Sequence, residues 1–345
     1  MTRKSTMYTA SMGDYNEWYT PPSEAETINV LVDSDVEIVL DIWVRPTCKS
    51  QPFFLIHGLA SNARMWDGVA SALMRLGHPV AVLDLRGHGR SSKPDGAYDF
   101  PTICDDIEKV QDYLATLDAL WRRVIAVGQS WGASLVLELA WRSPNRLFGI
   151  GCIDGGFSDL SAIYPDWQVC MNILHPPLFT SVTAEELEAR IRATHMEWPE
   201  SGIKGLLANF HVDENGIVSP WLSLEHHLDI LHSLWTFKAS TRHAAVAVPV
   251  MLIPAISEKD MLYTKVAPGE KDIASQDLKN AKLSSQRKSS IDKREAVREA
   301  AHKLVKADVY EFLNAEHDVH ASRPDELANL LHQKCVDSFF SGLDA

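Results

Sequence analysis

The stretch Val124 to Ala140, VIAVGQSWGASLVLELA, limits what this chain can fold into more than any other. It opens on an apolar run, Val124 to Val127, that reads as a buried strand. It closes on Ala133 to Ala140, where apolar residues recur at helical spacing. Between them lies Gly128-Gln129-Ser130-Trp131-Gly132. A strand that becomes a helix within one or two residues must bend sharply. The residue at the bend has its side chain pushed clear of the sheet, and small residues two before and two after leave it room. This G-x-S-x-G pattern is a nucleophile elbow with Ser130 at its apex. The helix behind it aims backbone N–H groups and a positive dipole end at the same spot, which suits an oxyanion. An ordinary strand-to-helix turn with a capping serine is the alternative, and the rest of the chain decides between them.

Other elements follow in alternation. Thr27 to Val32 and Val36 to Val44, split by Asp33-Ser34-Asp35, predict an antiparallel hairpin. Pro52 to Ile56 predicts a buried strand, followed by His57-Gly58-Leu59 and a helix over Ala63 to Leu76. Pro79 to Leu85 is the next strand, Ile103 to Leu117 a helix, and Leu147 to Ile153 a strand ending at Asp154-Gly155-Gly156. Strands resume at Val248 to Pro254 and at Asp308 to Leu313, and a last helix spans Arg323 to Phe340. Strands alternating with helices predict an α/β fold, a mostly parallel sheet with helices on both faces. Residues 157–244 break that rhythm: they read as helical and carry Trp167, Trp198, Trp221 and Trp235. They are expected to form a helical lid over the strand ends. The expected organisation is therefore a polar N-terminal surface arm (1–25), a core (26–156 and 245–345) and an inserted lid (157–244). The Ser-rich, charged stretch 265–306 is read as solvated in its first half and helical over Lys293 to Leu304.

Bulk properties exclude several functions. The net charge of −13 argues against nucleic acid and against an anionic membrane surface as partners. No run approaches transmembrane length, and the N-terminus lacks an apolar signal segment. The cysteines, Cys48, Cys104, Cys152, Cys170 and Cys335, are odd in number and scattered, as expected of reduced thiols in a cytoplasmic protein. Cys152 falls in a core strand and reads as a small apolar residue. His226-His227 and His232 form no metal-ligand pattern, since adjacent histidines cannot share a helical face; a lid or pocket role is expected and no metal.

In open α/β sheets the chemistry lies at the carboxyl ends of the strands. His57-Gly58, Asp84, Ser130 and Asp154 all fall at such ends. A serine hydroxyl needs a base within hydrogen-bond reach. Ala315-Glu316-His317-Asp318-Val319-His320 offers one, just after the last strand. Four ordered pieces, FFLIHGLASNARMW, AVLDLRGHGRSSKP, VIAVGQSWGASLVLELA and EHDVHASRPDELA, together resemble the α/β-hydrolase fold family from about Ile28 to the C-terminus.

The resemblance implies roles. Ser130 matches the nucleophile. His317, seven residues before Pro324, matches the base, and His320 is its rival, read as a loop or pocket residue. The oxyanion hole would use the backbone N–H groups of Leu59 and Trp131, whose side chains are expected to be pocket walls. Trp66 and Phe157 are read as core or pocket floor, and Asp84 with Arg86 to Ser91 as a turn supporting the site. The triad acid has two positions open. Glu258 or Asp260 would follow the next-to-last strand; Asp154 ends the strand beside the nucleophile and is favoured, because Asp260 falls several residues past its strand. The plain reading of Asp154 is a turn residue capping the Gly155-Gly156 bend.

Serine at the apex sets the chain apart from the dehalogenases and epoxide hydrolases of this fold, which place aspartate there. The Ser-Trp-Gly sequence is similar to proline iminopeptidases, but those carry His-Gly-Gly-Pro-Gly where this chain has His57-Gly58-Leu59-Ala60-Ser61. The strand end Ile153-Asp154-Gly155-Gly156 resembles that of uncharacterised bacterial hydrolases of the family. The resemblance implies a cofactor-independent serine hydrolase of carboxylic esters or lactones. A C–C bond hydrolase, an aminopeptidase and a non-catalytic ligand-binding protein are the alternatives. The Trp- and Leu-rich lid implies an apolar or aromatic acyl or alcohol part, so the expected partner is a small apolar or aromatic ester or lactone, and a homodimer is left open.

Overall fold

A computed structural model describes residues 17–177, 179–257 and 293–341. Its centre is an eight-stranded sheet. The strands are β1 (Glu26–Leu31), β2 (Glu37–Trp43), β3 (Phe53–Ile56), β4 (Val80–Leu83), β5 (Val124–Gln129), β6 (Leu147–Ile153), β9 (Val250–Ile253) and β11 (Ala307–Val309). They lie in the order β1-β2-β4-β3-β5-β6-β9-β11. Strand β2 runs antiparallel to β1 and β4, and every other pair is parallel.

The central strands are apolar on both faces because both are covered. Side chains alternate along a strand, so each strand supplies two cores. Phe54, Ile56, Ala126, Ile150 and Leu252 face one way, into helices α2 (Phe100–Leu117) and α3 (Trp131–Arg142) and the helix over residues 293–303. Phe53, Leu55, Ile125, Ile153 and Ile253 face the other way, into α1 (Asp67–Arg75) and the C-terminal helix Pro324–Val336. The expected α/β sheet with helices on both faces is the one observed.

The strand β5 to helix α3 junction is as tight as its glycines require. Ser130 is the residue between them, at φ 55° and ψ −116°, a backbone conformation rarely taken by a residue with a side chain. A Cβ on Gly132 would stand 2.4 Å from the Ile56 carbonyl oxygen and 2.6 Å from that of His57. Only glycine lets α3 start this close to β3.

Several elements differ from expectation, each for a local reason. The expected strand Asp308 to Leu313 divides: β11 pairs with β9, while β12 (Phe312–Leu313) pairs with β10 (Ala255–Ile256). Pro254 sits between β9 and β10 and has no N–H, so the ladder breaks there. The 157–244 stretch is not wholly helical. Its helices α4 (Leu160–Ile163), α5 (Trp167–Leu174), α6 (Ala184–Thr194), α7 (Glu200–Leu207) and α8 (Leu224–Thr236) are joined by a hairpin of β7 (Phe210–Val212) and β8 (Val218–Pro220). Strands of three residues are too short for alternation to show. The helix expected over Ala63 to Leu76 opens as a 3-10 turn, Ala63–Trp66, capped by the Asn62 side chain. The N-terminal arm is not all surface: Tyr19 is buried and its hydroxyl donates to Asp84. The last helix ends at Val336, short of Phe340. The helix read over Lys293 to Leu304 is present over residues 293–303.

Substituting Gly132→Ala forces apart two backbones that cannot yield without moving α3. We expect a loss of about 1–3 kcal/mol or more in a urea unfolding series. An unchanged midpoint would show that the junction is looser than its geometry.

Candidate active site

Ser130 stands at the carboxyl end of β5, where the chain turns into α3. Its N–H donates to the Ile153 carbonyl at 2.8 Å, which ties the bend to the end of β6. Gly155 passes so close that a Cβ on it would lie 2.3 Å from the Ser130 carbonyl oxygen. Asp154, at φ 44°, is the residue between these two contacts. The backbone of β6 thus turns directly beside the elbow.

Asp154 meets His317 there. The His317 Nδ1 lies 2.7 Å from Asp154 Oδ2. An ionised carboxylate only accepts, so Nδ1 carries the proton and Nε2 is the basic nitrogen. The Asp154 side chain is 6% exposed, and that of His317 is half-exposed. Burial alone would raise the Asp154 carboxyl; the hydrogen bond from His317 and the Lys293 charge outweigh it and hold the group below its ordinary value. Burial alone would lower the His317 imidazole; the Asp154 hydrogen bond and charge outweigh it and hold the group above its ordinary 6.5.

Ser130, Asp154 and His317 line one cavity of about 660 Å³. The 157–244 stretch supplies much of the rest of its wall, including Phe157, Ile163, Leu174, Leu231 and Leu234. Leu59 lines it as well. A second cavity, of about 380 Å³, lies between Phe179, Phe210, Trp221, Leu224 and His88. His227 on α8 borders both.

The loop after β3 is held by its own histidine. His57 Nδ1 lies 2.8 Å from the Gly58 carbonyl, and the Leu85 N–H donates to Nε2 at 3.0 Å. One ring therefore pins the loop to the end of β4 and stays neutral, with burial holding it below the ordinary imidazole value. Trp131 is the first residue of α3, so its N–H is among those a helix start leaves without an intrahelical acceptor.

The expected supporting turn is deeply built in. Asp84 accepts from the Ala63 N–H at 2.9 Å and the Arg90 N–H at 3.2 Å, and the Ser91 hydroxyl donates to the Asp84 carbonyl at 2.5 Å. Arg86 forks onto Asp106 at 2.8 and 3.0 Å.

Some expectations are corrected. The Trp131 side chain is not a pocket wall: it is 1% exposed and stacks on His88 with ring centroids 5.7 Å apart. The four tryptophans of the 157–244 stretch do not line the Ser130 cavity. Trp235 donates to the Tyr164 carbonyl at 2.7 Å and packs 5.7 Å from Trp167. Trp198 packs on a small separate core of Ile203 and Leu207, and Trp221 lines the second cavity. These rings hold the stretch together. His320 is wholly buried 4.5 Å from the Trp66 ring, with no partner on either nitrogen, and burial holds it down to about 3. It belongs to the core rather than to a loop or pocket. Cys152 is buried in β6 as read. Glu258 and Asp260 lie outside the described residues. Among the described residues no cluster has a metal-binding arrangement, and no helix is long and apolar enough to cross a membrane.

Two contacts had no sequence signal. Gln129 Nε2 donates to the His317 carbonyl at 3.3 Å and to Asp318 Oδ1 at 3.4 Å, linking the elbow to the histidine loop. Lys293 Nζ donates to Asp154 Oδ1 at 2.9 Å. In both cases the partner is more than a hundred residues away in sequence.

The sequence profile of the alpha/beta hydrolase family matches residues 53–330, most of the chain. The chain belongs to the alpha/beta hydrolase family. Among curated family relatives, Protein ABHD8 of Homo sapiens is 31% identical over 105 residues, 30% of this chain and 23% of that one. A haloalkane dehalogenase of Mesorhizobium japonicum is 32% identical over 112 residues, 32% of this chain and 34% of that one. The chain thus spans about a quarter to a third of the length of the curated relatives it matches. Among solved structures, E-2-(acetamidomethylene)succinate hydrolase superposes with a TM-score of 0.64 at 17% identity, over 91% of this chain and 99% of that one. At that identity the likeness concerns the fold.

His317 and His320, three residues apart, should titrate on opposite sides of the ordinary imidazole value. In an NMR titration, His317 should protonate above the ordinary imidazole value, and Asp154→Asn should bring it down, since the partner that favours the charged form is gone. His320 should stay neutral until about pH 3. A His317 transition that ignores Asp154→Asn would contradict the pairing.

Proposed function

We propose that this chain is a serine hydrolase that cleaves carboxylic esters or lactones through Ser130, His317 and Asp154. The observation that carries the reading is the meeting of these residues at one cavity, with His317 Nδ1 hydrogen-bonded to Asp154. His317 Nε2 takes the Ser130 proton as Oγ attacks the substrate carbonyl carbon. The oxygen of the tetrahedral intermediate is held by the N–H groups of Leu59 and Trp131. His317 then hands its proton to the leaving alcohol, and the C–O bond breaks to give an acyl-Ser130. A water, deprotonated by His317, attacks that ester and releases the acid and the serine. Asp154 keeps the imidazole in the right tautomer and offsets the charge of the imidazolium.

The substrate is read from the walls. Leu59, Phe157, Leu174, Leu231 and Leu234 favour an apolar or aromatic acyl or alcohol part. Residues 157–244 act as a lid in this reading, because they furnish that wall over the carboxyl ends of the strands. All five cysteines are free thiols, which supports a reducing, cytoplasmic setting.

The test is turnover of p-nitrophenyl esters of rising chain length, alongside aromatic lactones. Ser130→Ala should lower kcat on the best of them by a factor on the order of 10⁴ or more, with an unchanged circular dichroism spectrum. A variant keeping more than about a hundredth of the activity would remove Ser130 from the role. In the wild type, activity should fall as pH drops, on a single acid limb above pH 6.5, because only neutral His317 is a base.

A further inference from the structure

Asp154 has a partner that the hydrolytic mechanism above does not use. Lys293 begins the helix over residues 293–303 and lines the Ser130 cavity. Its ammonium lies 2.9 Å from Asp154 Oδ1, 3.2 Å from Asp154 Oδ2 and 3.0 Å from the Ala255 carbonyl oxygen. The Ala255 N–H in turn donates to Asp154 Oδ1 at 3.1 Å. Three donors therefore converge on one carboxylate: His317 Nδ1, the Ala255 N–H and the Lys293 ammonium.

The arrangement has a chemical consequence. A buried carboxylate needs a counter-charge. If the only group beside it were an imidazole, the cheapest counter-charge would be the imidazolium, and a protonated His317 is no base. A fixed ammonium meets the need instead, so Asp154 stays ionised while His317 remains free to lose its proton. The same ammonium ties Asp154 to the Ala255 carbonyl, which fixes the carboxylate between the ends of β6 and β10.

We propose that Lys293 is a positioning residue of the site: it supplies the counter-charge of Asp154 and fixes that carboxylate, so that His317 works as a base at a lower pH than the Asp154–His317 pair alone would allow. This rests on the reading of Ser130, His317 and Asp154 as the hydrolytic residues. Other groups also bear on His317. Asp154 and the neighbouring Asp318 favour its protonated form, and Lys293 opposes it. Asp318 is itself faced by His195 and Glu316. His320, buried in the short helix Val319–Ser322, is uncharged near neutrality. Lys293 is thus the cation on the opposing side of the balance among the described residues that face His317.

The experiment is the pH dependence of kcat/KM for the best p-nitrophenyl ester, in the wild type and in Lys293→Met, Lys293→Gln and Lys293→Arg. Melting curves come first, and the neutral variant that still melts cooperatively is the one compared. Removing the cation favours the imidazolium, and the active form is the neutral imidazole. The acid limb should therefore move up by about one pH unit. Lys293→Arg keeps the charge, so its limb should stay within a few tenths of a unit of the wild type. The neutral variant should lose up to about tenfold in kcat at neutral pH, the most that a one-unit shift can remove, with a smaller change in KM. A neutral variant that loses activity evenly at all pH, with its limb in place, would reduce Lys293 to a structural prop and overturn the proposal. So would an unchanged profile, or a limb that Lys293→Arg moves as far as the neutral variant does. Failure of the underlying reading looks different: the wild type itself would then show no ester turnover that depends on Ser130.

Discussion

One backbone constraint governs this molecule: the chain must pass from β5 into α3 through a single residue, Ser130, held at φ 55°. Such a conformation costs on the order of 1–3 kcal/mol and persists only when its surroundings over-determine it. They do so here from three sides. Gly132 lets α3 approach the Ile56 and His57 carbonyls. Gly155 lets the β6 turn approach the Ser130 carbonyl, and the Ser130 N–H is taken by Ile153. Gly58 leaves room for the Gln129 side chain, which a Cβ would meet at 2.4 Å. The bend, the loop after β3 and the end of β6 therefore come as one piece.

A buried charge frame fixes the adjoining loops. Asp41 pairs with both Arg64 and Arg90, Asp84 with Arg90 at 3.5 Å, and Tyr19 donates to Asp84. Arg64 also faces Asp67 at 3.3 Å, whose carboxyl burial pushes up to about 7, so two arginines answer three buried aspartates, and removing one partner would strand another in the core, which is expensive. Asp84 also accepts the Ala63 N–H, so this frame holds the segment just after Leu59. On the other side of the elbow, Asp154 plays the matching part with His317, Lys293 and Ala255. Asp84 and Asp154 each follow directly on the carboxyl end of a strand, β4 and β6.

What could be read from sequence was what local geometry dictates. The elbow declares itself because strand, bend and helix are contiguous, and so does the His57-Gly58 turn. Asp154 was legible as the end of a strand, with Asp260 as a rival; only the packing of β6 between β5 and β9 brings it to His317. Lys293 was invisible because its partner is 139 residues away, across β9. In Trp131 the backbone and the side chain face different ways, which a motif does not encode: the N–H is at the start of α3 and the ring lies in the core against His88. The tryptophans of the 157–244 stretch, which pack within it or line the second cavity, are a similar case. Composition says that a segment has aromatic rings to bury, not which surface buries them.

The claim at the centre is that Ser130 is a nucleophile made reactive by the His317–Asp154 pair. Covalent capture tests it most directly. After treatment with a fluorophosphonate, peptide mapping by mass spectrometry should place a single adduct on Ser130, and Asp154→Asn should slow its formation by orders of magnitude. An unlabelled Ser130 in the folded protein, or labelling as fast in Asp154→Asn as in the wild type, would contradict the account.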